Sequence, residues 1–272
     1  MQTTKHDGVE LAYDIAGPED GDPVVFLAGL GYGRWMWRWQ REGLSDEYRT
    51  VRIDNRGAGD SDAPSGPYTI AEMAGDVEAV LDAESIDRAH VVGASMGGMI
   101  ALRYATDFDR AATLSLLCTS PGGPDAIPVP EETQQVMFDV PEGADERETI
   151  THRMRPAVSE TFYAEHPELV ERIVDWRLES DASDAAREAQ AVGVLQFDAS
   201  DELSSIDLPA LVAHGTADRV LPFENATLLA EGLPNVTLER FESAHHLFFI
   251  EEADAVTERV RSFLETHPLG DA

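Results

Sequence analysis

The sequence contains one cysteine, Cys118, and one lysine, Lys5, in 272 residues. A lone thiol can form neither an intramolecular disulfide nor a thiolate metal cluster. No apolar run approaches the ~18–20 residues that a membrane span requires. The opening MQTTKHDG lacks the basic-then-apolar order of a secretory signal. A soluble, cytoplasmic protein is therefore expected. Positive charge is scarce throughout, with 20 Lys+Arg against 52 Asp+Glu, a net charge of −32 and a pI near 4.3. Such a surface repels nucleic acid and the anionic face of a membrane.

What is present suits one large α/β domain with an insertion, since 272 residues with 43% apolar content can bury a sizeable core. The acids are spread along the chain between regularly spaced apolar positions, which argues against a disordered tail. Strand-like and helix-like segments alternate, the pattern of a mostly parallel sheet flanked by helices. Residues 2–6 and 9–16 bracket Asp7-Gly8, a hairpin turn signal. Six further strands are expected at 23–29, 48–54, 88–95, 111–119, 209–216 and 236–243. Several are continuous apolar runs, as strands buried on both faces require. Ile70, Met73, Val77, Val80 and Leu81 fall on one helical stripe, as do Val256, Val260, Phe263 and Leu264.

Residues 122–204 break the alternation. They carry helical spacing, with Leu169, Ile173 and Trp176 at i, i+4 and i+7, and no convincing strand. This stretch is expected to be a helical lid inserted after the sixth strand. The core domain would then be 1–121 together with 205–272.

Gly93-Ala94-Ser95-Met96-Gly97 reads G-x-S-x-G, a weak signal alone. It gains weight because VVGAS ends a buried strand and MGGMIALRYA opens a helix, the setting of a nucleophile elbow. A tight turn there holds Ser95 Oγ above the sheet edge. It also places the Met96 N–H at a helix N-terminus, where a developing oxyanion is stabilised. A serine needs a base, and His245-His246 after the last strand supplies two candidates; His214, His90 and His6 lie in or beside strands and read as structural or surface residues. The base needs an acid to orient it. Asp218 lies just past the seventh strand, at the carboxyl edge where ligands of open α/β sheets gather. By itself it is as readily a turn or helix-cap aspartate, and Asp125 is the second candidate.

Five segments, LAGLG, DNRGAGDSD, GASMGG, HGTADRVLP and SAHHLFFIEE, resemble the α/β-hydrolase superfamily over nearly the whole chain. The resemblance implies an α/β-hydrolase fold with an eight-stranded, mostly parallel sheet. Lid-bearing esterases, enol-lactonases and related small-molecule hydrolases show segments of these kinds at these places. The resemblance implies Ser95 as nucleophile, Asp218 as acid and His246 as base, because an acidic residue (Glu251) follows five positions after His246. His245 stands where the superfamily usually has glycine. The superfamily commonly has His-Gly in its oxyanion loop; here Ala28-Gly29-Leu30-Gly31 stands there, so the Leu30 backbone N–H would pair with that of Met96. A serine elbow argues against dehalogenases and epoxide hydrolases, which use aspartate. It implies acyl transfer through an acyl-enzyme, without metal or organic cofactor. Small, fairly apolar esters or lactones are the expected substrates, with Trp35, Phe138, Trp176, Val220 and Leu247 lining their pocket. A perhydrolase of the haloperoxidase-like kind or a C–C bond hydrolase would use the same three residues. A non-catalytic ligand-binding member of the fold is the alternative of another class.

Acid excess with almost no lysine also resembles the proteins of salt-in halophiles. Nineteen arginines pair with only a minority of 52 acids, and each exposed pair is worth only ~0–1 kcal/mol. A stability of about 5–15 kcal/mol leaves little reserve against many small repulsions. Salt shortens the Debye length and weakens them. The melting temperature at pH 7 is expected to rise between about 0.05 M and about 2 M KCl, where screening is strongest. A flat or falling melting temperature would contradict the charge argument.

Overall fold

The structure is a computed structural model that describes residues 1–270, without the side chain of Phe138. The strands and helices follow in chain order. They are β1 (Gln2–His6), β2 (Val9–Ala16), β3 (Pro23–Leu27), α1 (Arg38–Leu44), β4 (Arg49–Ile53), α2 (Ile70–Ala83), β5 (Ala89–Ala94), α3 (Met96–Asp107) and β6 (Ala111–Leu117). A helical stretch follows: α4 (Glu131–Phe138), α5 (Glu146–Met154), α6 (Glu160–Glu165), α7 (Pro167–Ser180) and α8 (Asp184–Gln196). The chain closes with β7 (Ala210–Gly215), α9 (Glu224–Gly232), β8 (Val236–Phe241), α10 (Phe248–Glu251) and α11 (Ala253–Glu265). All eight expected strands are present, shorter by one or two residues at most ends.

The strands form one sheet in the order β1-β2-β4-β3-β5-β6-β7-β8. The hairpin partners β1 and β2 pair antiparallel, β2 pairs antiparallel with β4, and the remaining neighbours are parallel. The winding reverses between β3 and β5, because β4 lies on one side of β3 and β5 on the other. The loops leaving β3 and β5 therefore diverge and open a crevice at the carboxyl edge, where open α/β sheets bind ligands.

Side-chain alternation along the strands feeds two cores. Val25, Leu27 and Val91 pack with α2, α3 and α9 on one face. Val24, Phe26 and Val92 pack with α1, α10 and α11 on the other. Helix α2 starts where the sequence provides a capping box. Thr69 Oγ1 accepts from Glu72 N–H at 3.1 Å, and Glu72 accepts from Thr69 N–H at 2.7 Å. No helix among the described residues is long and apolar enough to cross a membrane.

Between β6 and β7 the described chain makes only one isolated bridge, Gly122 with Asp198, and is otherwise helix and turn. Met154, Val158, Phe162, Val170 and Ile173 from this stretch join the second core.

The loop after β4 is held by buried ion pairs. Arg56 donates to both Asp76 oxygens at 2.7 Å, and His6 Nδ1 lies 2.8 Å from the same carboxylate. Asp54, fully buried, accepts from the backbone N–H of Arg34 and Asp60 and from the Arg34 guanidinium. Burial nevertheless pushes its carboxyl above the ordinary value. Removing one partner of a buried pair strands the other charge, at about 3–5 kcal/mol. Asp76→Ala is expected to lower the unfolding free energy by that amount, read as a lower urea midpoint with an unchanged m-value. A shift below about 0.5 kcal/mol, typical of surface substitutions, would show that the pair does not hold the loop.

Candidate active site

Ser95 joins β5 to α3 with φ 53° and ψ −120°, a conformation that costs a non-glycine residue of order 1–3 kcal/mol. The turn is held by Ser95 N–H donating to Leu117 O at 2.9 Å and by Thr119 Oγ1 donating to Ser95 O at 2.7 Å. The flanking glycines are steric requirements. A Cβ at Gly93 would lie 2.2 Å from Gly97 O, and one at Gly97 would lie 2.0 Å from Leu27 O.

Asp218 sits in the turn after β7, buried, and His246 in the turn after β8. His246 Nδ1 is 2.7 Å from Asp218 Oδ2. A ring nitrogen facing a carboxylate carries the proton, which leaves Nε2 with its lone pair. The other Asp218 oxygen accepts from the N–H groups of Val220 at 2.7 Å and Leu221 at 3.0 Å. Burial alone would raise the Asp218 pKa. The charge of His246 and hydrogen bonds from His214 and His246 outweigh it and hold the carboxyl well below the usual range. The acid is thus ionised at any ordinary pH.

His214 is a neighbour that sequence reasoning missed. Fully buried at the end of β7, it places Nε2 3.0 Å from Asp218 Oδ2 and 2.8 Å from Leu221 O. Facing two acceptors, that nitrogen carries a proton. The only signal in the sequence is the i, i+4 spacing of His214 and Asp218. His245 is half-buried and its Nδ1 has no partner, so His246 alone of the two engages the acid. Asp125 is exposed in the turn before α4. Among the described residues no hydrogen bond joins Ser95 Oγ to His246.

The loop after β3 lies against the elbow: a Cβ on Gly29 would be 3.5 Å from Ser95 Cβ. The Leu30 and Met96 N–H groups donate to no acceptor among the described residues. Without the histidine common in the superfamily, this loop is braced from the helical stretch. Gln190 of α8, fully buried, accepts from Gly31 N–H at 2.7 Å and donates to Arg56 O at 2.9 Å. Ala182 N–H donates to Gly31 O at 2.9 Å, and Asn55 Nδ2 to Ala28 O at 2.9 Å. The turn carrying His246 is tied to the same stretch, with Leu247 N–H donating to Ala157 O at 2.8 Å, and α10 beyond it by Ser159 N–H and Oγ donating to Glu251 at 2.9 and 2.5 Å.

The expected pocket residues divide. Trp35 is 6% exposed, donates Nε1 to Asp181 at 2.9 Å, and lies 5.7 Å from the Trp176 ring. Trp176 is half-buried under the Arg38 guanidinium, 3.2 Å from the ring centre. Leu247 is buried in the second core, and Val220 is half-buried beside Asp218. The Phe138 side chain lies outside the described residues. An open depression of about 540 Å³ touches Asp218, Ser159 and His245 but neither Ser95 nor the Leu30 loop. It therefore does not reach the serine elbow.

Residues 22–253 match the family model of the alpha/beta hydrolase fold. A protein of Variovorax paradoxus to which a carbamate hydrolase role is ascribed is 30% identical, over 93% of this chain and 96% of its own length. A non-heme chloroperoxidase of Streptomyces lividans is 31% identical over 89% of this chain and 91% of its own. The solved enol-lactonase of Burkholderia xenovorans superposes with a TM-score of 0.84 at 29% identity, covering 97% of this chain and 100% of the other. The chain is therefore an enzyme of the alpha/beta hydrolase fold family.

Proposed function

We propose that the protein is a serine hydrolase that cleaves small carboxylic esters or lactones through an acyl-enzyme on Ser95. The observation that carries this reading is the buried hydrogen bond between His246 and an ionised Asp218, at the same sheet edge as a strained serine elbow. In this reading Ser95 Oγ attacks the carbonyl carbon as His246 Nε2 takes its proton. The Leu30 and Met96 N–H groups receive the oxyanion, and their lack of other acceptors supports that role. The tetrahedral intermediate collapses as His246 returns the proton to the leaving alcohol. Water then repeats the sequence on the acyl-enzyme. Asp218 orients the imidazole and stabilises its charged form. Residues 122–204 act as a cap over the site. Their hydrogen bonds to the Gly31 and His246 loops support this. The acidic, lysine-poor surface fits work at high salt.

The chloroperoxidase among the relatives favours one further activity, perhydrolysis. It is read by halogenation of monochlorodimedone with acetate, peroxide and bromide.

A fluorophosphonate probe is expected to label the protein at Ser95, and Ser95→Ala to abolish both labelling and ester hydrolysis with the melting temperature retained. His246→Ala is expected to cost far more activity than His245→Ala. Asp218→Asn is expected to lower kcat by about 10⁴-fold, as in the best-studied triad. Equal losses at the two histidines, or a probe that finds no serine, would overturn the assignment. Because Asp218 stays ionised well below the usual carboxylate range, the acid limb of the kcat/KM profile is expected to survive Asp218→Glu.

A further inference from the structure

Helix α7 buries Val170, Ile173, Val174 and Arg177, so an arginine occupies the fourth place of an apolar stripe. Taking a guanidinium out of water is strongly disfavoured unless partners compensate, and the compensation here is incomplete. Arg177 is 4% exposed. Its Nε donates to Asp181 at 2.7 Å, and its guanidinium carbon lies 4.4 Å from the centre of the Tyr32 ring. Nη1 and Nη2 donate to no acceptor among the described residues, yet neither is sealed from solvent. Asp181 is itself shared, since its other oxygen accepts from Trp35 Nε1 and Gly33 N–H.

A second guanidinium stands beside the first. Arg187 of α8 has Nη2 4.0 Å from Asp181, and its guanidinium carbon is 2.8 Å from where a Cβ on Gly31 would be. Burial and the charge of Arg177 push its pKa down. Asp181 is the one carboxylate within 4 Å of either group among the described residues. Two cations against one anion leave a positive charge unbalanced. Other buried arginines of this chain are matched more fully, as Arg56 is by Asp76 and Arg52 by Asp14. In a protein of net charge −32, free carboxylates to balance this site are abundant. None is placed there.

The location gives the excess charge a use. Gly31 and Tyr32 continue the loop whose Gly29 lies against Ser95, and Tyr32 N–H turns back to Gly29 O at 3.1 Å. We propose that Arg177 and Arg187 form a docking site for a carboxylate on the acyl chain of the substrate. The preferred esters or lactones are then those of acids that carry a second, free carboxylate. A chain attached to the carbonyl carbon would extend toward the two arginines, because they pack against Gly31 and Tyr32, which continue the loop that would hold the carbonyl oxygen. The inference rests on Ser95 being the nucleophile and narrows the apolar substrate expected from the sequence.

The test compares monoethyl succinate, glutarate and adipate with ethyl butyrate, valerate and hexanoate, in which a methyl group replaces the carboxylate. At one chain length or more, the wild-type kcat/KM for the anionic ester is expected to exceed that for its neutral counterpart. Arg177→Gln is expected to lower that ratio by about 10–100-fold, the worth of a charge-assisted hydrogen bond. Arg177→Lys should restore part of it. A merely structural role would lower both rates and leave the ratio unmoved. If Arg177→Gln does not fold, Arg187→Gln is read in the same way. Independently, Ser95→Ala protein is titrated with monoethyl glutarate by calorimetry, and binding is expected to vanish on adding Arg177→Gln or Arg187→Gln. Hydrolysis indifferent to the carboxylate at every length overturns the docking site and leaves the serine hydrolase standing. Arginine-dependent binding in a protein that hydrolyses no ester leaves the docking site standing and removes the hydrolase.

Discussion

The contact on which the rest of this molecule depends is the one between the first turn of α3 and the ends of β3 and β5. A Cβ at Gly97 would meet the Leu27 carbonyl oxygen at 2.0 Å, so helix and strand touch backbone to backbone. That contact forces the chain to reverse within one residue, and Ser95 takes the unfavourable φ of 53°. Strain of this kind persists only where the surroundings over-determine it. Here they do so through the Leu117 and Thr119 hydrogen bonds and the fully buried strands on either side. The same closeness brings the loop after β3 against the elbow. A looser helix would relieve Ser95 and, at the same time, separate it from the loop after β3, whose Leu30 N–H donates to no acceptor among the described residues.

That loop has little side-chain mass of its own, and its shape is imposed from outside. Gln190 spans it, taking the Gly31 N–H and giving to the Arg56 carbonyl, which in turn belongs to the loop held by the Arg56–Asp76 pair. Three segments far apart in sequence are thereby locked into one polar network in which each buried donor has an acceptor. Satisfied networks of this type rigidify their members, and half-satisfied ones are costly. The loop after β3 is thus braced by an amide from the helical stretch. The shape of the loop after β3 and the docking of α8 are coupled: what loosens one loosens the other.

Charge is distributed by the same logic. The carboxylates that enter the interior have partners, among them Asp14 with Arg52, Asp54 with Arg34, Asp76 with Arg56, Asp181 with Arg177 and Asp218 with two histidines. The remaining excess is left at the surface, where water and counter-ions screen it and repulsion is long-ranged but weak. The interior can thus be close to neutral in a chain of net charge −32. The overall charge bears on solubility and salt dependence. It says little about what a buried site will accept. The pair Arg177 and Arg187 makes the point, since the local field beside Gly31 has the opposite sign to the surface.

All eight strands and the location of the serine elbow were legible because they are local: buried runs, helical stripes and a glycine-flanked turn each write themselves within a few residues. The pairing of His246 with Asp218 was legible for a different reason, namely that the topology of a parallel sheet delivers every strand's exit loop to one edge. What escaped was what side chains do across long sequence separations. His214 sits in an apolar strand and reads as a satisfied core residue until β7 and its exit turn fold Asp218 back over it. Gln190 gives no local sign at all, because its partners lie 134 and 159 residues away. Arg177 did leave a trace. With Val170, Ile173 and Val174 it completes an i, i+3, i+4, i+7 stripe, and a guanidinium on such a stripe must either find a carboxylate or wait for one. Asp181, one turn later, answers half of that demand through Nε alone. The other half is visible only when the neighbours of Nη1 and Nη2 can be inspected and no acceptor is found among them. A stripe read purely for hydrophobicity passes over its charged member as an interruption; read for electrostatic balance, the same stripe points to the chemistry of the ligand.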